Sequence, residues 1–148
     1  MADHVRKQIR NRVSDALHAL PRFGGRVYQS RVYPITEDDL PGILVYTLSE
    51  ESEREESPTD IMRDLTIAVQ AVVALAADLD NALDDIALEV EEAIDALGRM
   101  EGLVKIYSGI QGTEQSYAGA DAAKPHAAIA MEFLYTYRTR TGAPGVAI

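Results

Sequence analysis

The 148-residue chain has no cysteine, which excludes a disulfide framework, a thiolate metal site and a cysteine nucleophile. It has no apolar run approaching the ~20 residues that span a bilayer, and its first residues lack the apolar core of a signal peptide. These absences predict a soluble, intracellular protein with no membrane partner. Catalytic signatures are missing as well. There is no GxSxG, no phosphate-binding loop, no GxGxxG and no HExxH, and the three histidines, His4, His18 and His126, are scattered. His18 lies beside an apolar helical stripe and is expected to be a satisfied structural side chain. The composition therefore points away from an enzyme, with no cofactor and no metal expected.

Positive charge is scarce where it would matter for nucleic acid. The net charge is −10, and residues 1–48 carry +2, residues 49–100 carry −12 and residues 101–148 balance. A duplex-binding surface needs clustered Lys and Arg, so an acidic middle third disfavours specific nucleic-acid binding.

What is present is apolar periodicity. Val5, Ile9, Val13, Ala16, Leu17 and Leu20 recur at helical spacing, with Pro21 and Gly24-Gly25 as the stop. Arg6, Lys7, Arg10 and Arg12 occupy the other face, either solvated or a contact for an acidic neighbour. Residues 25–34 look extended, and Pro34 suits an edge. Thr36 is a plausible cap for an acidic turn, after which Pro41-Gly42 releases a short apolar strand over residues 43–48.

Residues 49–58 read SEESEREESP, with five glutamates and no apolar side chain, and predict a mobile, solvated loop extending to residue 60. The next stretch alternates strictly. Ile61, Arg63, Leu65, Ile67, Val69, Ala71, Val73 and Leu75 share one parity, and all but Arg63 are apolar. This period of two marks a long strand that ends before Leu75 or projects beyond its neighbours.

Asp78 or Asp80 caps a second helix with the stripe Leu79, Leu83, Ile86, Val90, Ile94 and Leu97. Its outer face bears Asp84, Asp85, Glu89, Glu91, Glu92 and Asp95. Helical carboxylates without an EF-hand loop make a poor cation cage. Residues 103–107 predict a third strand and residues 108–125 a plain loop. A last strand follows Pro125, with Ile129, Met131, Phe133, Tyr135 and Tyr137 on one face; residues 139–148 are expected to be a loose tail. The order predicts a single α+β domain: a two-layer sandwich of a mostly antiparallel, four- to five-stranded sheet with two helices on one face.

The sequence of elements, an amphipathic helix, Gly-Arg-Val-Tyr at residues 25–28, an acidic turn closing on Leu40-Pro41, the strand 43–48, the glutamate-rich segment and the long alternating strand, resembles the tail-terminator (tail-completion, minor tail) proteins of long-tailed bacteriophages. The resemblance runs from about Arg6 to Tyr137 and is best in residues 25–75. It implies a hexameric ring on the head-proximal end of the tail tube, assembled in the host cytoplasm and carried in the virion. Its implied partners are other copies of itself, the major tail tube protein and a head-completion or neck protein, with DNA passing through the lumen unbound. A basic first third and an acidic middle suit heterologous contacts between ring subunits. The expected interface side chains are Arg6, Arg10, Glu50, Glu51, Glu53, Arg54, Glu55, Glu56, Arg63, Arg138 and Arg140, with the 49–60 segment meeting the tube or a neighbour. Two alternatives stay open: a head–tail joining or head-completion protein of the same kind of particle, and a small-ligand-binding or enzymatic α+β domain.

Overall fold

A computed structural model describes residues 3–32, 36–54, 58–117 and 126–148. It is a mixed α+β structure: two α-helices lie on one face of a curled, six-stranded sheet. In chain order the elements are helix α1 (Val5–His18), a 3-10 turn at Pro21–Phe23, strand β1 (Val27–Tyr28), a 3-10 turn at Glu37–Asp39, strands β2 (Gly42–Arg54) and β3 (Asp60–Ala74), helix α2 (Leu79–Asp95), a 3-10 turn at Met100–Gly102, and strands β4 (Ile106–Tyr117), β5 (His126–Arg140) and β6 (Ala143–Ala147). The sheet order is β1-β2-β3-β5-β4, with β6 paired to β5. Only the β1–β2 pair is parallel.

The centre of the sheet is the antiparallel pair β3–β5, in register without a break from Asp60↔Arg140 to Ala74↔His126. Alternation puts Leu65, Ile67, Val69, Ala71 and Val73 of β3 on one face with Ile129, Met131, Phe133, Tyr135 and Tyr137 of β5, all buried. The helices cover that face. Val5, Ile9, Val13 and Leu17 of α1 and Leu83, Ile86, Val90 and Ile94 of α2 recur at spacings of three and four and enter the same core. Stripping Phe133 to alanine would cost about 3–5 kcal/mol, the range for a fully buried aromatic ring. Gly42 opens β2 for a steric reason: a Cβ there would lie 2.4 Å from the Asp39 carbonyl oxygen.

Several expectations need correction. Residues 49–54 are not a solvated loop but the outer half of β2, paired with β3 through Arg54↔Ile61. Residues 108–117 are likewise strand rather than loop, paired with β5 through Tyr117↔Ala127. In both cases a long apolar partner strand supplies the ladder that the local sequence does not advertise. Residues 55–57 and 118–125 lie outside the described residues. The expected tail forms β6, with the pairs Thr139↔Ala147 and Arg140↔Ala143 to β5. The sheet thus has six strands, not four or five. The strand expected at 103–107 starts at Ile106; Val104 is buried in the core ahead of it. Only Val27 and Tyr28 of the extended region 25–34 pair as strand, while residues 33–35 lie outside the described residues. The roles at Thr36 are reversed: its N–H and hydroxyl both donate to Asp39 Oδ2 at 2.9 Å, which holds the Asp39 carboxyl below its usual range. Asp78 occupies the α2 cap position without a side-chain cap bond. His18 is exposed, not packed in the core.

Candidate assembly surfaces

The register places two hairpins at opposite ends of the sheet. The described end of the first, Arg54↔Ile61, lies beside Thr139, where β5 finishes; that of the second, Tyr117↔Ala127, lies beside Val73, where β5 begins. These ends differ in chemistry, and the difference starts with a β-bulge. Leu48 is inserted between the pairs Thr47↔Ile67 and Ser49↔Thr66, which reverses the phase of β2. Ile43, Val45 and Thr47 face the helices before the bulge; Glu50, Ser52 and Arg54 do so after it, because they oppose Leu65, Arg63 and Ile61. Without the extra residue, Glu50 would emerge on the opposite face.

Glu50 thereby sits beneath the N-terminus of α1, its side chain 10% exposed, and joins residues far apart in sequence. Arg6 of α1 donates to its Oε2 at 2.6 Å, Arg63 of β3 approaches the same oxygen at 3.5 Å, and the Tyr137 hydroxyl donates to Oε1. Arg63 also donates from Nε to Thr139 Oγ1 at 3.1 Å and lies 6.0 Å from the Tyr137 ring centre. Burial, and next the hydrogen bond to the Glu50 carboxylate, push the Tyr137 phenol well above its ordinary value. His4 caps α1 alongside, its Nδ1 accepting from the Arg6 N–H at 3.2 Å. Burial, then Arg6 and Arg63, lower its pKa below 6.5 against a smaller opposing pull from Glu50. The carboxylate is a hub that ties helix, hairpin and central strand together through charge-assisted hydrogen bonds.

The expected interface side chains therefore divide. Arg6, Glu50 and Arg63 are brought together, but with one another. Arg10 donates to Gln29 Oε1 at 2.8 Å and Thr47 Oγ1 at 2.9 Å. Lys7 pairs with Asp3 and Arg12 with Glu101, so each Lys and Arg side chain of α1 has an intrachain partner. Arg54 crosses the hairpin to the Pro58 carbonyl at 3.2 Å and Thr141 Oγ1 at 3.1 Å. Glu51 and Glu53 point to the face away from the helices and are exposed; Arg140 is exposed at the same end. Arg138 is half-buried on that far face, opposite Met62. Glu55 and Glu56 lie outside the described residues. Sequence reading missed Tyr137 and Thr139 as partners of the charges. Tyr137 reads as a core residue from its parity, and only its polar tip hints at a second role.

The opposite hairpin has nothing comparable. The outer half of β4 is exposed throughout, with Tyr117 at 75% relative exposure. Two more bulges, at Ser108 and Gln111, and a left-handed Gly109 (φ 77°) bend this strand. Along α2 the outward carboxylates are joined by an exposed Leu88, and Glu89 pairs with Arg22. Among the described residues no group of three or more His, Asp or Glu side chains converges in a way that would hold a metal ion.

Fold and surfaces together define a compact scaffold whose distinctive chemistry lies on projecting β-hairpins. The chain belongs to the phage minor tail protein U family, whose model matches residues 4–137. It is accordingly a structural protein of the phage tail, and of the virion. No curated protein matches the sequence. Among solved structures, one similar chain comes from the virion of a native gene transfer agent particle, at 14% identity over 92% of each chain with a TM-score of 0.37.

Proposed function

We propose that this protein terminates the tail: copies of it form a ring, six-membered as in the terminators that the sequence resembles, which caps the tail tube and stops its growth. The observation that carries this reading, beyond membership of the tail family, is the pair of hairpins at opposite ends of one sheet. A terminal piece needs two unlike contact surfaces facing opposite ways, one for the last ring of tube subunits and one for the neck. The anchored, charged outer half of β2 and the outer half of β4, with its single charge, meet that requirement. Exposed Glu51 and Glu53 make the first of these surfaces acidic, so duplex DNA moving past it is repelled, not retained. No chemical step is assigned to any residue.

The test is electron microscopy of tails produced with and without the protein. Termination predicts overlong, headless tails in its absence. Tails of normal length that fail to join heads would instead make it a head–tail joining protein. Removing Glu51 to Glu56 is a poor probe, since it also deletes four β2–β3 ladder pairs, from Glu51↔Asp64 to Arg54↔Ile61. Substituting Glu51 and Glu53 by glutamine keeps the ladder and tests the surface alone.

A further inference from the structure

An exposed strand edge offers a row of free backbone donors and acceptors, and proteins usually blunt such edges with charge, bulges or cover. Two long edges are open in the described residues. On β2, β1 pairs only with Ile43 and Leu44, so residues 49–54 have no strand outside them. That edge is guarded by three glutamates and an arginine. On β4, no described strand lies outside residues 106–117. Its first part is covered by the chain itself: the Gln111 amide donates to the carbonyls of Ser108, Gly109 and Ile110 at 3.2, 3.3 and 3.4 Å. Residues 112–117, GTEQSY, have no such cover, no proline and a single charge, Glu114.

We propose that residues 112–117 of β4 form the docking strand for residues 49–54 of β2 in a second copy, joining neighbouring subunits into one continuous sheet. This rests on the ring reading above and specifies its contact. Three features of the molecule favour this occupant. Each open edge presents at least six successive described residues, enough for a strand ladder. The two segments lie on opposite edges of the same sheet, so pairing one with the other is heterologous and repeats around a ring instead of stopping at a dimer. They are also staggered. Through β5, residues 112–117 lie level with residues 68–73 of β3, whereas residues 49–54 lie level with residues 61–66, an offset of seven residues. A cylindrical sheet closes only when its strands tilt and their register is staggered in one sense, and each copy supplies that offset. The near-neutral β4 segment receives the acidic β2 segment without repulsion beyond Glu114. The β2 segment is already fastened at Glu50 and Arg54, which bond to Arg6, Arg63, Tyr137 and Thr141.

The native chain has no cysteine, so single thiols can be placed cleanly. Gln115→Cys and Ser52→Cys both fall on the helix side of the sheet, at exposed positions. Tails are assembled from each variant alone and from an equal mixture, then treated with a short bismaleimide. The expected result is cross-linked dimer in the mixture and none in either variant alone. Dimer from Gln115→Cys alone would overturn the proposal, because it means β4 meets β4. Capped tails of normal length with no dimer in the mixture would overturn it while leaving tail termination intact. Tails that terminate normally but contain none of this protein would remove both. As a second measurement, Ser116→Glu, which adds a charge beside Glu114 on the face that carries Glu51 and Glu53, is expected to enter tails about tenfold less well, by repulsion from those two carboxylates. Ser116→Lys is expected to enter normally; equal loss in both would mean the strand matters for folding, not for docking, and would also overturn the proposal.

Discussion

The two hairpins share one central strand pair yet are held by different means. The outer half of β2 carries four charges in six residues and is fastened by side chains: Glu50 to Arg6, Arg63 and Tyr137, and Arg54 to Thr141. The outer half of β4 carries one charge and, among the described residues, is held by its backbone pairing to β5. The comparison teaches that a strand need not announce itself by alternation when its neighbour does. β3 and β5 are long, apolar on one face and matched in register, so each offers a complete ladder to whatever the chain returns beside it. Polar sequence then decides what the added strand presents to the outside, not whether it forms.

The largest expected effect that separates the two ends is Glu50→Ala. It leaves Arg63, 13% exposed, and the Tyr137 hydroxyl without their acceptor, and should destabilise the fold by about 3 kcal/mol in urea titration. A change under about 0.5 kcal/mol would mean that both hairpins are held by backbone alone. Tyr137→Phe removes one hydrogen bond and keeps the ring, so a loss of about 1 kcal/mol is expected from the same titration.

His4 gives the anchored end a pH dependence. Burial and the neighbouring arginines favour the neutral imidazole, so the folded chain binds fewer protons at this site than the unfolded chain. Its contribution is complete above about pH 6.5 and declines as the pH falls through and below that value. His4→Asn keeps a capping acceptor without titrating. The wild-type melting temperature should therefore fall more steeply than that of the variant between pH 7 and pH 5; parallel curves would remove His4 from this role. The smallest effect is expected at the bare end. Gln115→Ala should change monomer stability by no more than about 0.5 kcal/mol, measured beside Glu50→Ala.

Legibility followed the same division. The apolar stripes of both helices, the parity of residues 61–73 and the parity of residues 129–137 were all readable, and together they account for most of the buried core. Residues 49–54 and 108–117 were not readable as strands, because neither contains a run of alternating apolar side chains. The expected interface was legible as charge but not as geometry. Arg6, Glu50 and Arg63 stand out by type, yet a single inserted residue at Leu48 sets which face Glu50 takes. Sequence gives no marker for that insertion beyond the absence of a clean period.

By itself, then, the sequence determined an α+β protein with two covering helices, a long central strand and an acidic middle. Burial of apolar surface is encoded residue by residue, at periods of 3.6 and 2, so those features can be read locally. Only the tertiary structure decided that the glutamate-rich segment is a pinned strand, that six strands pair, and that two open edges lie offset on opposite sides of the sheet. Strand pairing is a contact between distant segments, and a bulge reverses every side chain beyond it; neither is fixed until the partner strand is in place.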